Sequence, residues 1–381
     1  MPSLSRVDLS DVPVIDGHCH PLLPDPWAIT ADSFLDLFSE ARPGTMTTHI
    51  GHTLYFQRAV RELAERLGSP PTVEGVLERR RAMGPDLAAR LIMEQGVAAL
   101  LVDTGYPPGA MSLAEMRSLL PSAIHEIFRI ETCAGGLLLK GLPYAQFCES
   151  FIGELHAARG RSVALKTIIA YRAGLEIKQW EPRQAALAYE AQVARVEAGG
   201  SPRLTEKPLL DTLFSLALEV ATETGCPLQV HAGIGDPDID LPQANPLLLR
   251  PILEDPRWAR ARLVLLHMAY PYAREAAFMA AVWPQVYLDL SVAIPFLGPA
   301  AQQPLIEVLS LAPLSKLSYG SDLGALPELL ALCARWGRAA LGEALDWLVE
   351  RGGMTADQAR AAGRQILSET AVALYALPAV G

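Results

Sequence analysis

Eight short apolar runs, spaced along the chain and mostly separated by helical patterns, constrain the fold more than any other feature. They are Val12–Ile15, leading into Asp-Gly-His-Cys-His; Val97–Val102, leading into Asp-Thr-Gly; Ile124–Ile130, leading into Glu-Thr; and Ser162–Ile169. The later four are Leu228–Val230 before His-Ala-Gly, Leu263–Leu266 before His-Met-Ala, Val286–Leu290, and Leu317–Tyr319 before Gly-Ser-Asp. Short apolar runs bounded by turn residues, several rich in β-branched side chains, read as buried parallel strands. Between them, Thr205–Thr224 carries apolar residues at helical spacing with Gly225 as a C-terminal stop, and Ala273–Val282 is another helix. Eight strands alternating with helices suit a barrel or an open doubly wound sheet. No Gly-rich phosphate fingerprint follows the first run, which disfavours a dinucleotide-binding sheet. The expected class is therefore α/β, a (β/α)8 TIM barrel.

The gap between the first two runs, about 80 residues, is far longer than a simple βα unit needs. Its pattern is mostly helical, over Asp32–Glu40, His52–Leu67, Thr72–Met83 and Pro85–Gln95. Residues 31–95 are expected to form a helical insertion over the barrel mouth, within a single domain spanning 1–381. A second extension follows the fourth strand near Glu181–Pro208, and extra C-terminal helices, Leu341–Leu377, are expected to pack outside. The net charge is −10, so the surface repels phosphate backbones and nucleic acid is excluded as an expected partner. The short cluster Glu78-Arg79-Arg80-Arg81 reads as a solvated helix face. Five scattered cysteines without a C-x-x-C pair suit a reducing cytoplasm, and no signal pattern or membrane-length apolar run is seen.

The chemistry lies at the strand ends. His18 and His20 end the first strand, Lys166 lies on the fourth, His231 ends the fifth, His267 the sixth and Asp322 the eighth. Residues two apart in a strand share a side, so His18 and His20 can both face the axis while Cys19 points away. Catalytic residues of barrels come from these C-terminal strand ends. An isolated His-x-His pair is weak, because a strand-end histidine is more often a hydrogen-bonded structural residue. The whole set, converging from separate strands, reads as a divalent-metal site. Imidazole with carboxylate suits zinc first, with manganese or iron as alternatives. Arg172, Arg129 and Tyr270 are candidate contacts for a small, carboxylate-bearing substrate, since arginine grips carboxylates in a bidentate fork. A structural pair between Arg129 and Glu131 is an equal alternative. Asp289 is placed to orient a ligand histidine. His49, His52, His125 and His156 read as structural or surface residues.

The segments LKTIIAYRAGLEI, HMAYPYAREAAFMA, YLDLS and SYGSDLGALPE, together with the ligand set, resemble the amidohydrolase superfamily (amidohydrolase-related family 2). Within it they resemble the amidohydrolase domain of nodulin-related and FluG-type proteins. The likeness runs from about Val14 to Trp336. It implies one or two metals held by His18, His20, Lys166, His231, His267 and Asp322, with three readings open for Lys166: a carbamate bridge between two metals, an uncharged or ion-paired lysine near a single metal, or a binder of substrate carboxylate. It implies Asp322 as general base, His267 as ligand or carbonyl-polarising group, and a homo-oligomer. The reaction implied is hydrolysis of a C–N, amide-like bond. Two alternatives stay open: a metal-dependent decarboxylase of a small unsaturated or aromatic acid, and a non-catalytic barrel that partners a glutamine-synthetase-like protein.

Overall fold

The computed structural model describes residues 7–380. Eight parallel strands pair in sequence order: β1 Val14–Cys19, β2 Val97–Asp103, β3 Ala123–Arg129, β4 Ser162–Thr167, β5 Leu228–Val230, β6 Leu263–Leu265, β7 Val286–Asp289 and β8 Leu317–Ser318. Every ladder from β1–β2 to β7–β8 is parallel. The ring closes through backbone bonds at and beyond the short β8: Gly17 N donates to Tyr319 O at 3.0 Å, Asp322 N to His18 O at 2.8 Å and His20 N to Leu323 O at 2.8 Å. The expected (β/α)8 barrel is the fold. Closure at this seam requires glycine at position 17, where a Cβ would lie 2.9 Å from Tyr319 O.

Strand alternation sorts the interior into two levels. Ile15, Ala99, Leu101, Ile127, Ala164, Val264 and Leu266 form an apolar cluster in the lower barrel. Two residues further along the same strand faces come Asp103, Arg129 and Lys166. The apolar end is closed by the last helix, Thr370–Tyr375, through Ala371, Leu374, Tyr375 and Leu377. The C-terminal residues therefore correct the expectation of outside packing: a short barrel with small residues such as Ala99 and Ala164 inside leaves room that this helix fills. The rest of the C-terminal region, including the helix Pro327–Glu350, does run along the outer wall.

The residues between β1 and β2 form the helices Ala31–Asp36, Thr47–Ile50, Leu54–Leu67, Val73–Met83 and Asp86–Glu94. Thr30, Thr53 and Thr72 each cap the helix that follows with a side-chain oxygen. Phe34, Phe38, Tyr55, Phe296 and Trp336 make a chain of edge-on and tilted rings that fastens these helices to the barrel flank. Arg80 corrects the reading of its cluster as solvated. It is fully buried, donates to both Glu328 oxygens at 2.7 and 3.2 Å and to Pro26 O at 2.6 Å, and lies over the Trp27 ring. Its neighbours Glu78, Arg79 and Arg81 remain exposed.

Candidate metal centre

A β-bulge places the two first-strand histidines. Three steps on β1, from Asp16 to Cys19, oppose two on β2, from Leu100 to Val102. The extra residue re-aims the strand. Cys19 is buried toward the outer helices, its thiol donating to Leu101 O at 3.4 Å, and burial holds that thiol well above its usual range. Asp16 staples the bulge to the residues after β8, accepting from Ser321 N at 2.9 Å and Ser321 Oγ at 2.5 Å. Burial raises the Asp16 carboxyl to about 7. The next residue, Asp322, has a left-handed backbone (φ 60), as does His267 (φ 64). Such conformations are costly for residues other than glycine, and here they aim two site side chains inward.

The hydrogen bonds fix the tautomers of the two histidines. Gln229 spends both amide protons on Gly17 O and Tyr375 Oη, each at 2.8 Å, so its Oε1 is an acceptor. His18 Nδ1, 2.8 Å from that oxygen, therefore carries the proton. His20 Nδ1 faces the Tyr106 carbonyl at 3.2 Å and carries one too. With Nδ1 protonated, Nε2 is the nitrogen each ring can offer as a lone pair. His18 Nε2 lies 3.0 Å, and His20 Nε2 3.3 Å, from Asp322 Oδ1. Burial, with Lys166 beside it, lowers the pKa of His18 to about 4 and so keeps the ring neutral. For Asp322, burial alone would favour the acid, but His267, His18 and His20 outweigh it and hold the carboxyl well below its usual range. Two imidazole Nε2 atoms and a carboxylate oxygen thus converge on one point. This donor set fits a divalent cation.

A second chain runs from β7 to β5. Asp289 Oδ1 accepts from Ser291 N at 3.0 Å and from Ser291 Oγ at short range. Ser291 Oγ accepts in turn from His267 Nδ1 at 2.9 Å, so His267 Nε2 is free to accept from His231 Nδ1 at 2.8 Å. His231 Nε2 is then a buried lone pair with no partner among the described residues. His267 Nδ1 also lies 3.4 Å from Asp322 Oδ2, which joins the two chains. Asp289 orients His267 through Ser291 and through His267 N at 3.4 Å.

Lys166 Nζ sits 3.3 Å from His18 Nε2, fully buried, and burial lowers its pKa to about 8. Beside it lies a buried carboxylate, Asp103. One ligand atom each of His18, His20 and Asp103, and likewise of His18, His267 and Asp322, fall within 4.8 Å of one another. Burial would favour the acid form of Asp103, but Arg129 overrides it and holds the carboxyl strongly ionised. Arg129 donates to Asp103 through Nε and Nη2, the shortest contact being 2.6 Å. Its guanidinium is therefore committed within the barrel, and its partner is Asp103, not Glu131. Glu131 instead accepts from Thr167 Oγ1 at 2.5 Å and Ile168 N at 3.0 Å.

Around the mouth, the Arg172 guanidinium is half-buried and has no hydrogen-bond or ion-pair partner among the described residues. Burial and the neighbouring Arg203 lower its pKa. Tyr270 is partly buried, and its carbonyl accepts from Ile234 N at 2.7 Å. Tyr171 stacks on His231 with ring centroids 4.3 Å apart. The inserted segment reaches the loop after β5 through Arg42, 3.5 Å from Asp238. Two residues before Arg42, the Glu40 carboxyl is raised to about 7 by burial and by the charges of Asp322 and Asp236. His49 and His52 are exposed.

Gln229, Ser291, Asp103, Glu40 and Tyr375 were not identified from sequence. Gln229 offered one signal: it is the polar residue inside the otherwise apolar run Leu-Gln-Val, two positions before His231. Among the described residues no helix is long and apolar enough to cross a membrane.

Residues 157–377 match a family model described as Amidohydrolase. Over 399 aligned residues the chain is 30% identical to protein fluG of Emericella nidulans, covering 96% of this chain and 46% of that one. The chain thus spans about half the length of the curated relative it matches. A candidate metal-dependent hydrolase from Lactobacillus casei ATCC 334 superposes with a TM-score of 0.85 at 28% identity, covering 98% of both chains. Uronate isomerase from Thermotoga maritima shares the fold, with a TM-score of 0.67 at 13% identity over 96% of this chain and 95% of that one.

Proposed function

The chain belongs to the amidohydrolase superfamily, and on that premise we propose that it is a zinc-dependent hydrolase of a C–N, amide-like bond in a small carboxylate-bearing molecule. The observation that carries the proposal is the convergence of His18 Nε2 and His20 Nε2, each with its Nδ1 held by an acceptor, on Asp322 Oδ1 at 3.0 and 3.3 Å. These three would hold the cation, and His231 Nε2 is a further lone pair available on the facing strand. A divalent cation supplies a Lewis acid that lowers the pKa of water and polarises a carbonyl.

The chain's own residues do the rest. Arg172 binds the substrate carboxylate at the mouth with a guanidinium that has no partner among the described residues. Asp322 takes a proton from the attacking water as the new C–O bond forms. It returns that proton to the leaving nitrogen as the C–N bond breaks. His267 Nδ1, on the Oδ2 side of Asp322, keeps the carboxylate oriented and anionic. Arg129 neutralises Asp103, so the second buried carboxylate does not compete for that proton. A carbamate on Lys166 would offer further oxygen ligands to a metal.

Asp322→Asn tests the reading. It removes the proton acceptor and one ligand oxygen while keeping size and fold. Zinc content measured by elemental analysis should fall well below one equivalent, and turnover should drop at least 1,000-fold, on the order of a lost general base plus weakened metal binding. An Asp322→Asn protein with wild-type zinc content and turnover refutes it. The wild-type zinc count also decides the Lys166 question, because one equivalent per active chain argues against the bridge.

A decarboxylase reading draws on the same Arg172, whose free guanidinium suits an unsaturated or aromatic acid equally well. Release of CO2 without an amine from a panel of such acids, against release of amine from N-acyl acids, separates the two.

A further inference from the structure

We propose that the C-terminal helix, through Tyr375 and Gln229, is part of the metal centre: it fixes the tautomer and aim of His18. This rests on the reading of His18 as a ligand and extends it to residues at the opposite end of the barrel.

The geometry is a continuous buried line. Tyr375 belongs to the helix Thr370–Tyr375 that closes the apolar end of the barrel. Its hydroxyl accepts from Gln229 Nε2 at 2.8 Å, and Gly17 O accepts the other amide proton at the same distance. Gln229 is fully buried at mid-barrel, and Tyr375 is 2% exposed. An amide rotated by 180° would put its oxygen against the Gly17 carbonyl and its NH2 against His18 Nδ1. The Gly17 carbonyl, which can only accept, therefore fixes the orientation, the Tyr375 hydroxyl holds the second amide proton, and the fixed Oε1 holds the proton on His18 Nδ1 at 2.8 Å. Only that tautomer leaves Nε2 as a lone pair aimed at Asp322. A buried polar side chain in an apolar barrel is costly unless fully satisfied. Each polar atom of Gln229 has a partner, and the line they form ends on the metal site.

Gln229 and Tyr375 are positioning residues, so the readout is metal affinity. Cobalt(II) is titrated into metal-stripped full-length protein against a competing chelator, and its visible d–d spectrum is recorded. Gln229→Leu removes the acceptor, and affinity should fall about 10- to 100-fold, the usual effect of losing a ligand's hydrogen-bond partner. Gln229→Glu keeps an acceptor oxygen on His18 Nδ1 and should bind at least several-fold more tightly than Gln229→Leu. Tyr375→Phe removes one hydrogen bond that holds the Gln229 amide in place and should weaken cobalt by about 2- to 10-fold, the range of one neutral hydrogen bond, with a shifted d–d band. Circular dichroism of the metal-free variants checks the fold, and should Gln229→Leu not fold, Tyr375→Phe and Gln229→Glu decide. Wild-type affinity and an unshifted spectrum in folded Gln229→Leu, or in Tyr375→Phe, overturn the inference while leaving the centre intact. A wild-type protein that binds no cobalt overturns the centre itself, and the inference with it.

Discussion

Replacing Arg80 by methionine should be among the most damaging changes outside the site. Arg80 and Glu328 are each 1% exposed, and Glu328 has no partner but Arg80 among the described residues. Methionine retains most of the aliphatic stem, so little packing is lost. What is lost is two contacts to Glu328 at 2.7 and 3.2 Å, one to Pro26 O at 2.6 Å, and the cation over the Trp27 ring. Removing one member of a buried ion pair costs about 3–5 kcal/mol because the survivor is stranded without water. Against a typical total of about 5–15 kcal/mol, that is roughly a fifth or more of the stability. Replacing both partners, Arg80→Met with Glu328→Leu, removes the stranded charge and should restore all but about 1 kcal/mol, the part owed to the Pro26 contact and to the acid at a helix start. Urea unfolding of the metal-stripped proteins, followed by fluorescence and circular dichroism together, gives the double-mutant cycle. The reasoning fails if Arg80→Met costs under about 1 kcal/mol, or if the double variant is no better than the single one. Pro26 and Trp27 follow His20 on the same loop, so the single variant should also weaken metal binding.

Two further outcomes are expected. Arg172→Met should raise KM for an anionic substrate by roughly 10- to 100-fold with kcat little changed, since a charge-assisted contact present in ground and transition states alike is removed; a fall in kcat at unchanged KM would place Arg172 outside the binding role. Asp16, with a folded-state pKa of about 7 against roughly 3.9 unfolded, binds its proton more tightly when folded. Its contribution therefore favours folding below about pH 4 and is lost as pH rises through about 7. Metal-stripped Asp16→Asn should show a flatter decline in stability over that window than wild type, and an unchanged slope would contradict the assignment.

The sequence showed the site wherever a ligand-type residue stood at the end of an apolar run. His18, His20, His231, His267 and Asp322 all end strands of a parallel barrel, and such ends point at one mouth. Residues whose role depends on a distant partner were not legible in the same way. Asp103 looked like the first residue of a turn, and only the β2–β3 register sets it against Arg129. Arg80 looked like one charge in a solvated run until Glu328, 248 residues away, was seen to meet it. Ser291 had no signal at all, because its importance is that it bridges Asp289 to His267.

By itself, then, the chain's alternation of short apolar runs with helices determined a parallel α/β fold, a barrel or an open sheet, and its period-two spacing allowed His18 and His20 to share a side. Those are local properties, written in neighbours and near-neighbours. The tertiary structure decided the bulge that aims the two histidines, the pairing that removes Arg129 from the mouth, and the burial of Arg80. It also decided the passage of the C-terminal helix into the barrel, where Tyr375 reaches Gln229. Each depends on closure of the ring and on contacts between segments tens to hundreds of residues apart, where desolvation makes the choice of partner decisive and no local pattern records it.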